Sequence, residues 1–155
     1  MSVKITDKDH GFKALSARVK SLAKGHSLSV GIHAKDGQKT YPVGSPLSVL
    51  QIAVIHEFGL GVPERSFIRA YFTENEPRLL KMVSAVAKEV AKGTYSEKVG
   101  LERLGQQIVA EIQVRISQRI PPPLAQSTID RKGSDVPLID TGQLRSSITY
   151  KVDGE

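Results

Sequence analysis

Leu101, Leu104, Ile108, Ile112, Ile116 and Ile120 recur at steps of three or four, and the chain then meets three consecutive prolines at 121–123. That spacing puts all six side chains on one face of a helix of about 20 residues, roughly 30 Å long. Such a stripe must be buried against other elements. The triple proline stops the helix abruptly, because proline lacks the amide proton and clashes with the preceding turn. Gly100 and Gly105 inside the run each cost about 1 kcal/mol relative to alanine, which predicts close approach of another backbone. Thr94-Tyr95-Ser96-Glu97, just before the run, has the spacing of a capping box.

Other segments supply the surfaces for that helix. Phe12, Leu15, Val19 and Leu22 predict an amphipathic helix over 10–24, stopped at Gly25. Residues 28–32 alternate apolar with small side chains and predict a half-buried strand. Asp36-Gly37 is a turn signal that can fold a short strand back at 40–43. Ser45-Pro46 predicts the start of a helix carrying Leu47, Leu50, Val54 and Phe58, with Gly59 and Gly61 ending it. A short helix is expected at 68–72, and Pro77 suits the first turn of a new or kinked helix that runs to Gly93. Ile148, Tyr150 and Val152 alternate with polar residues, so a C-terminal strand is expected. The fold class is therefore α+β: several helices packed on a small, mostly antiparallel sheet that includes the C-terminal strand. The 155 residues suit a single domain, with a core at 26–152, a helix within 1–25, and extended loops or arms at 34–46 and 121–137. The second arm has room for one helical turn around 127–131.

Composition narrows the function classes. The chain has no cysteine, so disulfides and thiolate metal sites are excluded, which suits a reducing compartment. No apolar run approaches the roughly 18 residues of a membrane span, and no secretory signal is expected at the start. The net charge is +6. Within residues 1–26, Lys4, Lys8, Lys13, Arg18, Lys20 and Lys24 stand against Asp7 and Asp9. Such a bias fits nucleic acid or an acidic partner, but the lysines are spread and no aromatic stacking platforms sit among them, so a solvated helix face explains them better.

Two stretches look like hydrolase signatures. Leu138-Ile139-Asp140-Thr141-Gly142 resembles the aspartic-protease motif, yet that chemistry needs two facing carboxylates and a flap, and neither is expected here. A structural reading accounts for the same residues. Asp140 is expected to cap a short helix, with Gln143 completing the box and Ile139 and Leu144 forming a hydrophobic staple. His56-Glu57 begins like a zinc-protease helix, but position 60 is Leu60 where a second histidine is required. The other histidines have no ligand spacing. One of His56 and Glu57 is expected to be hydrogen-bonded at a helix end and the other solvated. No catalytic, metal-binding or cofactor-binding residue is assigned, and no cofactor is expected.

Three ordered segments carry a resemblance: 53–59 (AVIHEFG) leading into 62–69 (VPERSFIR), 122–133 (PPLAQSTIDRKG) and 137–150 (PLIDTGQLRSSITY). Together they are similar to the virion-morphogenesis, tail-completion or neck proteins of tailed bacteriophages, a group that includes the minor tail protein Z type. The resemblance implies a non-enzymatic α+β subunit of the virion, assembled in the host cytoplasm. It implies a ring, typically of six copies, that joins the tail tube or tail terminator to the head connector and leaves a lumen for DNA. Within that reading, Phe58, Phe67, Leu124 and Ile129 are candidate apolar anchors between subunits. Arg65, Arg69, Arg131 and Lys132 are the candidate charged rim, and Pro122 stiffens the arm. The alternative is a small basic nucleic-acid-binding protein without enzymatic activity.

Overall fold

The computed structural model describes residues 12–22, 25–40 and 46–154. In chain order the elements are α1 (Phe12–Leu22), β1 (Ser27–Gly31), α2 (Ala34–Gly37), α3 (Val49–Phe58), α4 (Arg69–Lys92), α5 (Glu97–Ser117), α6 (Gln126–Lys132), α7 (Gln143–Ser146) and β2 (Thr149–Asp153). The lysines at 4, 8 and 24 lie outside the described residues, as do Ser45 and most of the expected return strand at 40–43. Thr40 forms one isolated bridge with Ser48. Asp36-Gly37 belongs to the single turn of α2 rather than to a hairpin.

The fold is α+β, and the stripe read from the sequence is its axis. Leu104, Ile108, Ile112 and Ile116 on α5 are buried, the last two completely. Burying each such side chain contributes roughly 1.5–3 kcal/mol. β1 and β2 pair antiparallel, with Ser27 opposite Asp153 and Gly31 opposite Thr149, and this two-stranded ribbon lies on α5. Ribbons of two strands are marginal alone, so packing on α5 supports the pairing of β1 with β2. The core continues through Val49, Ala53, Phe67, Tyr71, Leu138, Leu144 and Ile148.

α4 runs unbroken through Pro77, where two helices or a kink were expected. Proline cannot donate to the carbonyl of Thr73, but both residues are exposed, so water can satisfy that oxygen. α4 ends at Gly93, in the left-handed region at φ 82°. The Gly93 amide donates to Val90 O and the Thr94 amide to Glu89 O. Thr94 therefore closes α4, and its hydroxyl donates to the Glu89 carboxylate. The cap of α5 falls to Ser96, whose Oγ accepts from Val99 N at 3.4 Å, and Glu97 is instead buried against His26 Nδ1 at 2.7 Å. α3 likewise starts later than expected. Ser48 and Gln51 form a reciprocal capping box there.

Gly105 shows what the glycines in α5 are for. A Cβ there would lie 2.7 Å from Cγ and Cδ2 of Tyr150 and 2.9 Å from a methyl of Leu28. The close neighbours are side chains of the ribbon, not another backbone as the sequence suggested. Gly100 meets Val86 and the Tyr95 ring in the same way. Helix propensity favours Gly105→Ala by about 1 kcal/mol, but overpacking costs about 1–3 kcal/mol, and the first ring carbon cannot move without its strand. The variant is expected to lose about 1 kcal/mol in urea denaturation; a gain in stability would show that the ribbon yields.

α4 and α5 are also latched by charge. Tyr71 Oη donates to Glu111 at 2.6 Å, and Arg78 forms an ion pair with the same carboxylate. The Arg78 contact, opposed by burial and aided by Tyr71 and Gln107, holds Glu111 down at about 2 from the ordinary 4.5. Burial, then Glu111, pushes the Tyr71 phenol up to about 12. A carboxyl depressed in the folded state contributes stability above its unfolded value and loses it as the pH falls through the folded one. Glu111→Gln should therefore cost about 1 kcal/mol at pH 7, since solvent screens a partly exposed pair. The gap between wild type and variant should close between pH 4.5 and about 2, which thermal melts across that range would measure.

Candidate functional site

The three segments that carry the resemblance meet at one junction, and Glu57 is at its centre. α3 is apolar almost throughout and ends where Gly59 turns left-handed at φ 67°. Leu60 N donates to Ile55 O at 2.9 Å and Arg65 N to His56 O at 2.8 Å, so the chain folds back over the end of its own helix. This return points the start of α4 at the Glu57 carboxylate. One carboxylate oxygen accepts from Ser66 Oγ at 2.6 Å and Arg69 N at 2.8 Å. The other accepts from Phe67 N at 2.9 Å and Ile68 N at 3.1 Å. Ser66 Oγ in turn accepts from Ala70 N at 3.0 Å. α4 has Ile68 at its own cap position and no side-chain cap of its own; Glu57 supplies it from another helix, where the amide ends also favour a negative charge.

Arg65 makes the second join. The residue is 3% exposed, and its Nε and Nη2 both donate to the Pro122 carbonyl, at 3.2 and 2.6 Å. That ties the segment after α3 to the segment after α5. Lys132 donates to Val136 O at 2.9 Å and Pro137 O at 3.1 Å, which folds 126–137 back on itself. Between these parts lies a cavity of about 800 Å³ walled by Ile52, His56, Arg65, Leu124, Lys132 and Asp140. His56 Nδ1 is buried with no hydrogen-bond partner. Burial, then the charges of Arg65 and Lys132, hold its imidazole below the ordinary histidine range. Burial also lowers Lys132, with Asp140 pulling the other way.

Several expectations need correction. Phe67 is completely buried in the core and Arg65 is nearly so, so neither is a surface anchor or rim residue of this chain. Asp140 is not the cap residue of α7. Ser146 N bonds to Gly142 O, which makes Gly142 the cap residue, at φ 78° and without a side-chain cap bond. Its left-handed turn starts the helix two residues beyond the expected cap. Gln143 donates its side-chain amide to Thr40 O at 3.2 Å instead of reaching back, while Leu144 and Ile139 do pack on the core. Of His56 and Glu57, the glutamate is the hydrogen-bonded one, but the histidine is half-buried rather than solvated.

The remaining candidates are at the surface. Phe58 is 55% exposed, with the Arg69 guanidinium 5.4 Å from its ring centre and Arg69 itself paired with Glu64. Pro122 and Arg131 are exposed, and Leu124 and Ile129 are half-buried. Much of the expected arm at 121–137 is thus docked on its own chain and includes the two turns of α6.

Chemically the junction is a clamp. The four donors on Glu57 occupy both carboxylate oxygens, which removes it as a general base. Among the described residues no group of three or more His, Cys, Asp or Glu is placed to hold a metal, and no helix is long and apolar enough to cross a membrane. No protein-family model, no curated protein and no solved structure matches the chain.

Proposed function

We propose that this chain is a structural subunit of a tailed-bacteriophage virion, a tail-completion or neck protein that works by contact and carries out no chemistry. Its partners are further copies of itself in a ring, a head connector or adaptor on one side and the tail tube or tail terminator on the other, with DNA passing through without sequence-specific grip. The observation that supports this best is the convergence of the three resembling segments. Glu57 of the first caps α4, Arg65 of the first holds Pro122 of the second, and Leu138 and Leu144 of the third are buried beside them. Residues scattered over almost 100 positions of sequence make a rigid scaffold there, which suits a building block that must present fixed surfaces.

The test is reconstitution. Tails and heads prepared from a phage lacking this gene product should join into infectious particles when the purified protein is added. Failure to join them, together with no density for the chain at the neck of intact virions, overturns the reading.

A further inference from the structure

α3 is apolar on more faces than this fold uses. Val49, Ala53 and Glu57 face the interior, yet Leu50, Val54 and Phe58 are 43%, 38% and 55% exposed, and Leu60 beyond the helix is 56% exposed. The first three sit four residues apart and form a ridge about 12 Å long. The two rows are offset by one residue, about 100° around the helix, and an apolar surface that wide is more than one contact with the core covers. A second apolar surface left open among the described residues lies elsewhere. Leu28 and Val30 of β1 with Phe72, Leu79, Leu80 and Val83 of α4 line a groove of about 580 Å³, and Leu80 and Val83 are 61% and 48% exposed. From Phe72 to Val83 the groove runs about 16 Å along α4, enough to take the ridge.

Charge favours the same match. The Leu50 end of the ridge abuts α2 at Gly37, where Lys35 and Lys39 outnumber Asp36. Lys39 is paired with Asp36, which leaves one net positive charge. The Phe72 end of the groove carries Glu76, which is exposed and has no ionic partner among the described residues. Ridge and groove share no residue, so their contact joins unlike surfaces and repeats from copy to copy.

We propose that the α3 ridge of one copy seats in the β1–α4 groove of the next, with the Leu50 end toward Glu76. The contact deepens the proposed ring by naming the two surfaces that meet, and it rests on that reading only for closure. The cysteine-free sequence allows a clean test with Val54→Cys and Val83→Cys, both at exposed positions. An equimolar mixture of the two proteins at about 1 mM, a concentration that reveals contacts of a few kcal/mol, treated with a short bismaleimide, should give a covalent dimer. Neither protein alone should. Leu80→Arg in the Val83→Cys chain should cut the yield about tenfold or more, with circular dichroism confirming an unchanged fold. No cross-link in the mixture, or as much from Val54→Cys alone, overturns the ridge-in-groove contact. If the cross-link forms but the protein fails to join heads to tails, the phage role fails and this contact stands.

Discussion

Glu57→Ala is expected to lower the stability of the protein by about 4 kcal/mol. Removing the carboxylate leaves three amides and the Ser66 hydroxyl without their acceptor. Phe67 is completely buried and Glu57 itself is 7% exposed, so water cannot easily replace what is lost. Each hydrogen bond to a charged group is worth about 1.5–3 kcal/mol, and a stranded buried donor costs about 1–3 kcal/mol; the losses overlap, because they belong to one helix end. Glu57→Gln separates the contributions. It keeps one acceptor oxygen but turns an amide donor toward backbone donors, so it should lose roughly half as much. Chemical denaturation of the two variants gives the comparison directly. If Glu57→Ala costs under about 1 kcal/mol, the start of α4 has another way to satisfy its amides, and the clamp is not what fixes α3 to α4.

That clamp was not legible in the sequence, although its consequences were. Periodicity revealed α5 and the C-terminal strand, because each pattern is local and is set by which side of the element faces the core; on α3 it pointed to Leu50, Val54 and Phe58, which are exposed, while the core takes Val49 and Ala53. Glu57 acts on residues nine to twelve positions away across a turn, and no helical or strand period connects them. One signal was available: α4 begins at Ile68-Arg69 with no Ser, Thr, Asp or Asn in the cap position, so its amides needed an acceptor from elsewhere. The opposite error occurred at Asp140. The motif had cap spacing, but Gly142 can adopt a left-handed turn that aspartate adopts less readily, and that turn moved the start of α7. Arg65, a rim candidate in the ring reading, is buried although arginine is usually exposed. A partner carbonyl 57 positions away, which sequence pattern cannot supply, is what allows it to be buried.

Arg65→Ala carries the second large expected effect, a loss of about 2–3 kcal/mol. The two donors converge on one carbonyl, and the side chain's carbon stem also fills part of the cavity wall. The cost stays below that of Glu57→Ala because Pro122 is exposed and its carbonyl can turn to water once released. Electrostatics offers a sharper reading than stability. Arg65 helps hold the His56 imidazole below its ordinary value; without that charge, His56 should titrate at higher pH, as proton NMR of its ring would record. A histidine depressed in the folded state binds fewer protons than in the unfolded chain, so the wild type loses stability as the pH falls below about 6.5. Removing Arg65 should therefore lower stability at neutral pH and also shallow that acid decline. Arg65→Lys keeps the charge without the two-pronged geometry, so it should leave the His56 titration close to wild type while still loosening 121–125 in hydrogen exchange. A lysine variant that restores both would mean that charge alone, rather than the bond to Pro122, anchors the segment after α5.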